Sequence, residues 1–227
     1  MSRREHIHRH YTPRVHPDRP GHEILDWASA EAQEARFAVL GRVLRDLSAP
    51  VSSPSSQPVT RNPQPATHNR LTLLDAGCGL AELRQWLIWQ GLSVQYTGCD
   101  LTPAVLHEAR RRQPGADLLL ADLFHAAPFP PCAFDVVFSS GLFNLELGNN
   151  EAFLDEALPA LARLTRRRLV VNLLHVRTAP KYPLCHYYDP ADIRRRFSGL
   201  GRSVEVIDDY LPNDFTLVWH LPEEGGG

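Results

Sequence analysis

Hydrophobic and polar positions along the chain fall into short alternating blocks with two periods. Phe37, Leu40, Leu44 and Leu47 recur at three and four residues, which predicts a helix over residues 24–47 with one apolar face. Ser29 is a plausible N-cap, and Glu31 sits where a helix dipole favours an acid. Gln33 lies on the apolar face and needs a partner there. From residue 71 the blocks alternate between apolar strands (71–75, 93–99, 116–121, 134–139, 169–174) and amphipathic helices (80–90, 103–112, 150–164, 189–197). Gly91 ends one helix, Pro103 starts another, and Asn150 and Asp189 are placed to cap. Pro159 should kink or split the helix that contains it. Two last strands, 203–208 and 214–220, have no helix between them, so they should pair antiparallel. The pattern predicts an α/β fold: a seven-stranded, doubly wound sheet, mostly parallel, with a C-terminal antiparallel hairpin.

Two segments lack this alternation. Residues 48–70 hold five prolines and five serines with almost nothing large and apolar, which predicts a disordered linker. Residues 1–22 hold five of the eleven histidines and read as a polar, poorly ordered tail, with a metal-binding tract as the other reading. The expected organisation is therefore a tail (1–22), a cap helix (23–47), a linker (48–70) and a core (71–222).

Composition narrows the function. The 227 residues are 43% hydrophobic and 22% charged, which suits one globular domain with tails. A net charge of −2 argues against a strongly basic nucleic-acid binder, although 23 arginines stand against one lysine, Lys181. Apolar runs such as 169–174 are far too short to span a bilayer, and the charged start has no apolar core behind it to make a secretory signal. Cys78, Cys99, Cys132 and Cys185 lack CxxC spacing, so they read as free thiols in a reducing cytoplasm, with no metal site.

The candidate chemistry lies at the carboxyl ends of the strands, where open α/β sheets bind ligands. Asp75-Ala76-Gly77-Cys78-Gly79 follows the first strand and opens a helix. Asp100 ends the second strand, where a carboxylate can accept bonds from ribose hydroxyls, and Asp122 follows the third. A dinucleotide fingerprint wants Gly or Ala where this chain has Glu82, which weakens the nicotinamide reading. Acids at three successive strand ends suit a cofactor with positive charge and free amines better than a diphosphate.

These motifs, with Gly98-Cys99-Asp100-Leu101-Thr102, Ala121-Asp122-Leu123 and Phe134-Asp135-Val136-Val137-Phe138-Ser139-Ser140, resemble those of class I S-adenosylmethionine-dependent methyltransferases over about residues 71–221. Within that group the chain resembles uncharacterised bacterial members. The shared features are Leu25-Asp26-Trp27, Gln33 with Arg36-Phe37, Ser140-Gly141-Leu142-Phe143-Asn144, Tyr188-Asp189-Pro190, and a hairpin with Asp209-Tyr210 and Asp214-Phe215-Thr216. The resemblance implies a Rossmann-like fold and S-adenosyl-L-methionine as cofactor. It also implies that the loop Gly77, Cys78, Gly79 lies at the methionine part, with Asp75 near its ammonium. Asp100 would hold the ribose, Leu101 would pack on the adenine, Asp122 and Leu123 would frame its edge, and Ser140 and Gly141 would line the sulfonium end.

The acceptor should enter opposite the cofactor. His175, His186 and Tyr187 are the candidate bases, and Phe143, Asn144, Asn172 and Tyr188 candidate acceptor contacts. Trp27, Gln33 and Arg36 could reach the pocket from the cap helix. The expected reaction is methyl transfer to a small molecule. An RNA or protein acceptor, suggested by arginine runs at 110–112, 166–168 and 194–196, stays open, as does a non-catalytic binding module.

Overall fold

A computed structural model describes residues 1–49, 70–125 and 128–221. Seven strands form one sheet: β1 (Leu71–Ala76), β2 (Val94–Asp100), β3 (Asp117–Leu120), β4 (Phe134–Ser140), β5 (Thr165–Leu174), β6 (Ser203–Ile207) and β7 (Asp214–His220). Their order is β3-β2-β1-β4-β5-β7-β6, with β1 to β5 parallel and β7 inserted antiparallel between β5 and β6. The alternation of a pleated strand distributes the core. Leu74, Val137, Leu169 and Val171 face one layer, with Phe153, Leu154, Leu158 and Leu161 of α6 (Asn150–Leu164). Leu73, Val136, Phe138 and Val170 face the other, against Phe37, Leu40 and Leu44 of α3 (Ala30–Ser48) and Leu83, Trp86 and Leu87 of α4 (Glu82–Trp89). Strand order reverses between β1 and β4, so a crevice opens at their carboxyl ends. This is the Rossmann-like, mostly parallel sheet with an antiparallel end that the sequence predicts.

Several local expectations need correction. The predicted helix over 24–47 is two pieces: α2 (Gly21–Ile24) stops, Asp26 takes φ 61, and α3 begins only after Ser29, whose side chain accepts the Ala32 N–H. The predicted poorly ordered tail contains α1 (Arg3–Tyr11). A capping box starts α1: the Ser2 hydroxyl accepts the Glu5 N–H and Glu5 accepts the Ser2 N–H. Arg3 pairs with Glu156 at 2.8 Å and stacks over Phe153 at 4.2 Å, Ile7 is buried, and His8 Nε2 lies 2.8 Å from the Leu101 carbonyl. Asn150 is not the cap of α6 but its first residue, buried, accepting the Leu147 N–H and donating to the Leu145 carbonyl. Pro159 does not split α6, whose apolar side is held by the core on either side of the missing donor. Most of the predicted linker, residues 50–69, lies outside the described residues.

Candidate functional site

The site starts at the turn after β1. Gly77 and Gly79 take φ 77 and 53, a region where other residues pay for a Cβ. The space is also filled: a Cβ on Gly79 would stand 2.8 Å from Leu25 Cδ1, and one on Gly77 would stand 3.0 Å from Leu142 Cδ1. The Gly77 and Cys78 N–H groups donate to the Cys99 carbonyl, tying the loop to β2. Asp100, the last residue of β2, accepts from Gly79 N at 3.0 Å and Thr102 N at 2.8 Å. Burial raises its pKa, and those two bonds oppose the rise.

A cavity of about 520 Å³ lies over these strand ends. Gly77, Gly79, Asp100, Leu101, Asp122, Leu123, Ser140 and Gly141 line it from below, so eight of the ten expected cofactor residues share one wall. The other two lie behind the loop. Cys78 is buried, and its Sγ lies 3.0 Å from where a Cβ on Gly98 would stand. Asp75 is buried too and accepts the Tyr96 hydroxyl at 2.7 Å. Burial, with the Asp100 charge adding, pushes Asp75 up to about 7.

The residues expected around the acceptor separate in the same way. Trp27 and Arg36 line the cavity, Trp27 with its ring against Gly141 and the Arg36 guanidinium 4.5 Å over that ring. Asn144 also lines it, with its Oδ1 buried and without a hydrogen bond among the described residues; the same is true of Trp27 Nε1. Gln33 is instead taken up by Glu82, to which its amide donates at 2.9 Å. Phe143 and Tyr188 are core residues, the Tyr188 hydroxyl donating to the Phe143 carbonyl. Asn172 is fully buried and bonded to Tyr210, Asp214 and Phe215.

Two of the three candidate bases are off the cavity lining. His175 packs on Phe215 and accepts the Arg177 N–H. His186 bonds Glu146 at 2.9 Å. Tyr187 lines the cavity, but its hydroxyl accepts the Tyr182 N–H, and burial raises its pKa. The roof comes from a region that hydrophobic periodicity does not mark. His10 and Tyr11 of α1, Arg14 and Asp26 all line the cavity. One signal for α1 is present in the sequence: Ser2 followed by Glu5 is the spacing of a capping box.

The arrangement offers a partly covered, largely apolar chamber with a glycine-backed floor, one half-buried carboxylate able to accept further bonds, and an aromatic roof. Among the described residues, no three His, Cys, Asp or Glu side chains converge as for a metal ion. No described helix is long and apolar enough to cross a membrane.

Comparison with known proteins agrees with this geometry. A family described as a methyltransferase domain matches residues 73–166. The chain is 29% identical over 154 residues to a Mycobacterium tuberculosis protein named "Putative methyltransferase Rv1506c", covering 63% of this chain and 89% of that protein. It is 37% identical over 75 residues to the malonyl-[acyl-carrier protein] O-methyltransferase of Serratia marcescens, which is 33% of this chain and only 28% of that relative's length. The fold is similar to that of magnesium protoporphyrin IX methyltransferase from Synechocystis, with a TM-score of 0.61 at 15% identity over 98% of both chains. Sheet order, glycine loop and sequence match agree: residues 73–166 match a methyltransferase domain, and the chain is similar in sequence and in fold to known methyltransferases.

Proposed function

We propose that this chain transfers a methyl group from S-adenosylmethionine to a small molecule enclosed between the strand ends and the N-terminal roof. The observation that carries this reading is the cap segment lying over the strand ends at one side of the cavity. Trp27 lies on Gly141 and Leu25 on Gly79, so the cap segment covers the floor on which the cofactor would lie.

The residues present fit the cofactor. Gly77 and Gly79 bring the backbone of their turn to the cavity wall, where the methionine part would lie. Asp100 keeps lone pairs beyond those used by its two backbone donors, enough for a ribose diol. Leu101 and Leu123 supply apolar contact for a purine, and Asp122 stands at the same wall, its carboxylate accepting the Phe124 N–H. The cofactor supplies an electrophilic methyl on a sulfonium when bound. The chain's part is then to hold an acceptor atom in line, roughly 3–3.5 Å away, and to keep water out.

A small acceptor is also favoured by how the arginines are used. Arg111 and Arg112 pair with Glu108, Arg166 with Asp135, Arg195 with Asp192, and Arg196 with Glu151 and Asp155. Side chains spent on internal pairs leave little to neutralise phosphates. Incubating the protein with methyl-labelled S-adenosylmethionine and a cell extract, then separating metabolites, RNA and protein, should place the label in the metabolite fraction. Label confined to RNA or protein would overturn the small-molecule reading, and no calorimetric binding of the cofactor at millimolar concentration would remove the proposal altogether.

A further inference from the structure

Methylating an oxygen or nitrogen that still carries its proton requires a base, and neither His175 nor His186 lines the chamber. The other groups in the lining are mostly committed. Asp100 and Asp122 accept backbone N–H groups, Arg36 is held by Asp214, and the Tyr187 hydroxyl accepts from Tyr182. His10 is the one histidine in the lining among the described residues. Its side chain is only 8% exposed, and its Nε2 lies 3.1 Å from Asp26 Oδ2. Its other ring nitrogen, Nδ1, has no hydrogen-bond partner among the described residues. An aspartate that accepts the proton of one imidazole nitrogen fixes the tautomer and leaves the other nitrogen with its lone pair.

We infer that His10, oriented by Asp26, is the general base of this enzyme and takes the proton of an acceptor that carries an ionisable O–H, such as a phenol. The inference rests on the methyltransferase reading above and adds to it the chemical class of the acceptor. The acceptor O–H bond breaks toward His10 Nδ1, and the oxygen's electron pair forms the new bond to the methyl carbon. The carbon–sulfur bond breaks with its pair on sulfur, and the imidazolium later loses its proton to water.

The placement supports this role. Asp26 immediately precedes Trp27, which lies on Gly141, and the Asp26 charge is near enough to Cys185 and Tyr11 to raise the pKa of both. The pair therefore stands where α1, the cap turn and the loop carrying Cys185 and Tyr187 meet. Positive φ at Asp26 turns its carboxylate back toward α1, in a backbone state that Asp and Asn tolerate better than most residues. The ring is also in the right charge state. Burial lowers the His10 pKa below its ordinary 6.5, Arg14 and His6 lower it further, and Asp26 opposes them. A neutral imidazole near pH 7 is the form that accepts a proton.

Two measurements on the full chain test this. The first is an imidazole NMR titration of the protein alone, with His10 assigned through His10→Gln. The His10 resonance should titrate below 6.5, and Asp26→Asn, which suits the same backbone, should lower it again. A free-imidazole titration unmoved by Asp26→Asn would overturn the pair. The second uses the labelled-extract assay and compares His10→Gln with wild type in whichever fraction takes the label. The rate should fall about a hundredfold to ten-thousandfold, with cofactor affinity within twofold and the acidic limb of the pH profile lost. A rate within threefold of wild type would overturn the base. The fraction that is labelled judges the small-molecule reading, and the variant ratio judges His10, so the two failures are separate results.

Discussion

Asp75 and Asp100 stand one strand apart, yet their surroundings assign them different work. Asp100 faces the cavity and holds Gly79 and Thr102, so its loss removes the proposed ribose contact and two charge-assisted bonds. Asp100→Ala should weaken S-adenosylmethionine binding about a hundredfold, the worth of one or two hydrogen bonds to a charged group. Calorimetry reads this directly, and unchanged affinity would place the ribose elsewhere. Asp75 is buried on Tyr96, and its native pKa of about 7 stands well above an unfolded value near 3.9. The native state therefore binds the proton more tightly than the unfolded chain. That contribution to stability is full below about pH 4, is lost as pH rises toward 7, and changes no further above it. Asp75→Asn keeps an acceptor for the Tyr96 hydroxyl and removes the charge. Urea titrations should find the variant close to wild type at pH 4 and more stable by up to a few kcal/mol at pH 8. A difference independent of pH would show that Asp75 is not the buried acid described here. Both positions are legible in the sequence as acids at strand ends. Their division of labour is not, because it depends on which side of the glycine loop each carboxylate reaches.

Among the elements, α1 is the one whose sequence hides it most. Ile7 is its one buried apolar residue, so it has almost no apolar stripe to read. What holds it is mainly tertiary: Arg3 on Glu156 and Phe153, and His8 on the Leu101 carbonyl. Contacts between residues 153 positions apart leave no local periodicity, whereas β1 to β5, whose apolar blocks record their own burial, could be placed to within a few residues. The missed break at Asp26 has a similar origin. Leu25 and Trp27 look like continuations of an apolar face, but both turn onto the glycines of the floor. Because α1 roofs the cavity through few contacts, it should open more easily than the sheet. Ile7→Asp should raise the cofactor dissociation rate tenfold or more and expose the amides of Arg3–Tyr11 to hydrogen exchange, while the melting temperature of the core stays within a few degrees. Unaltered exchange in α1 would mean that Ile7 does not anchor it.

Across the whole molecule, one buried ion pair joins the N-terminal cap to the last strand. Arg36 on α3 bonds Asp214 on β7 through two nitrogens, at 2.9 and 2.6 Å, with the side chains 2% and 0% exposed. Its third contact, to the Ala32 carbonyl at 2.6 Å, fixes the guanidinium in its own helix, and Asn172 donates to the same Asp214. The pair spans 178 positions of sequence, so it closes the fold end to end and sets the plane on which Trp27 rests. Such a pair adds little over a well-packed apolar substitute, because two charges must first be desolvated, but breaking it on one side strands the other charge. Arg36→Met should therefore cost about 3–5 kcal/mol and loosen ligand binding by freeing the Trp27 ring. The double variant Arg36→Met with Asp214→Asn should regain much of the stability and little of the binding, since the platform under Trp27 is still missing. Chemical denaturation and cofactor calorimetry on the wild type, both single variants and the double variant separate these effects. Additive stability losses would show that Arg36 and Asp214 do not act as a pair. Recovery of both stability and binding in the double variant would show that the pair only holds the fold and does not shape the chamber.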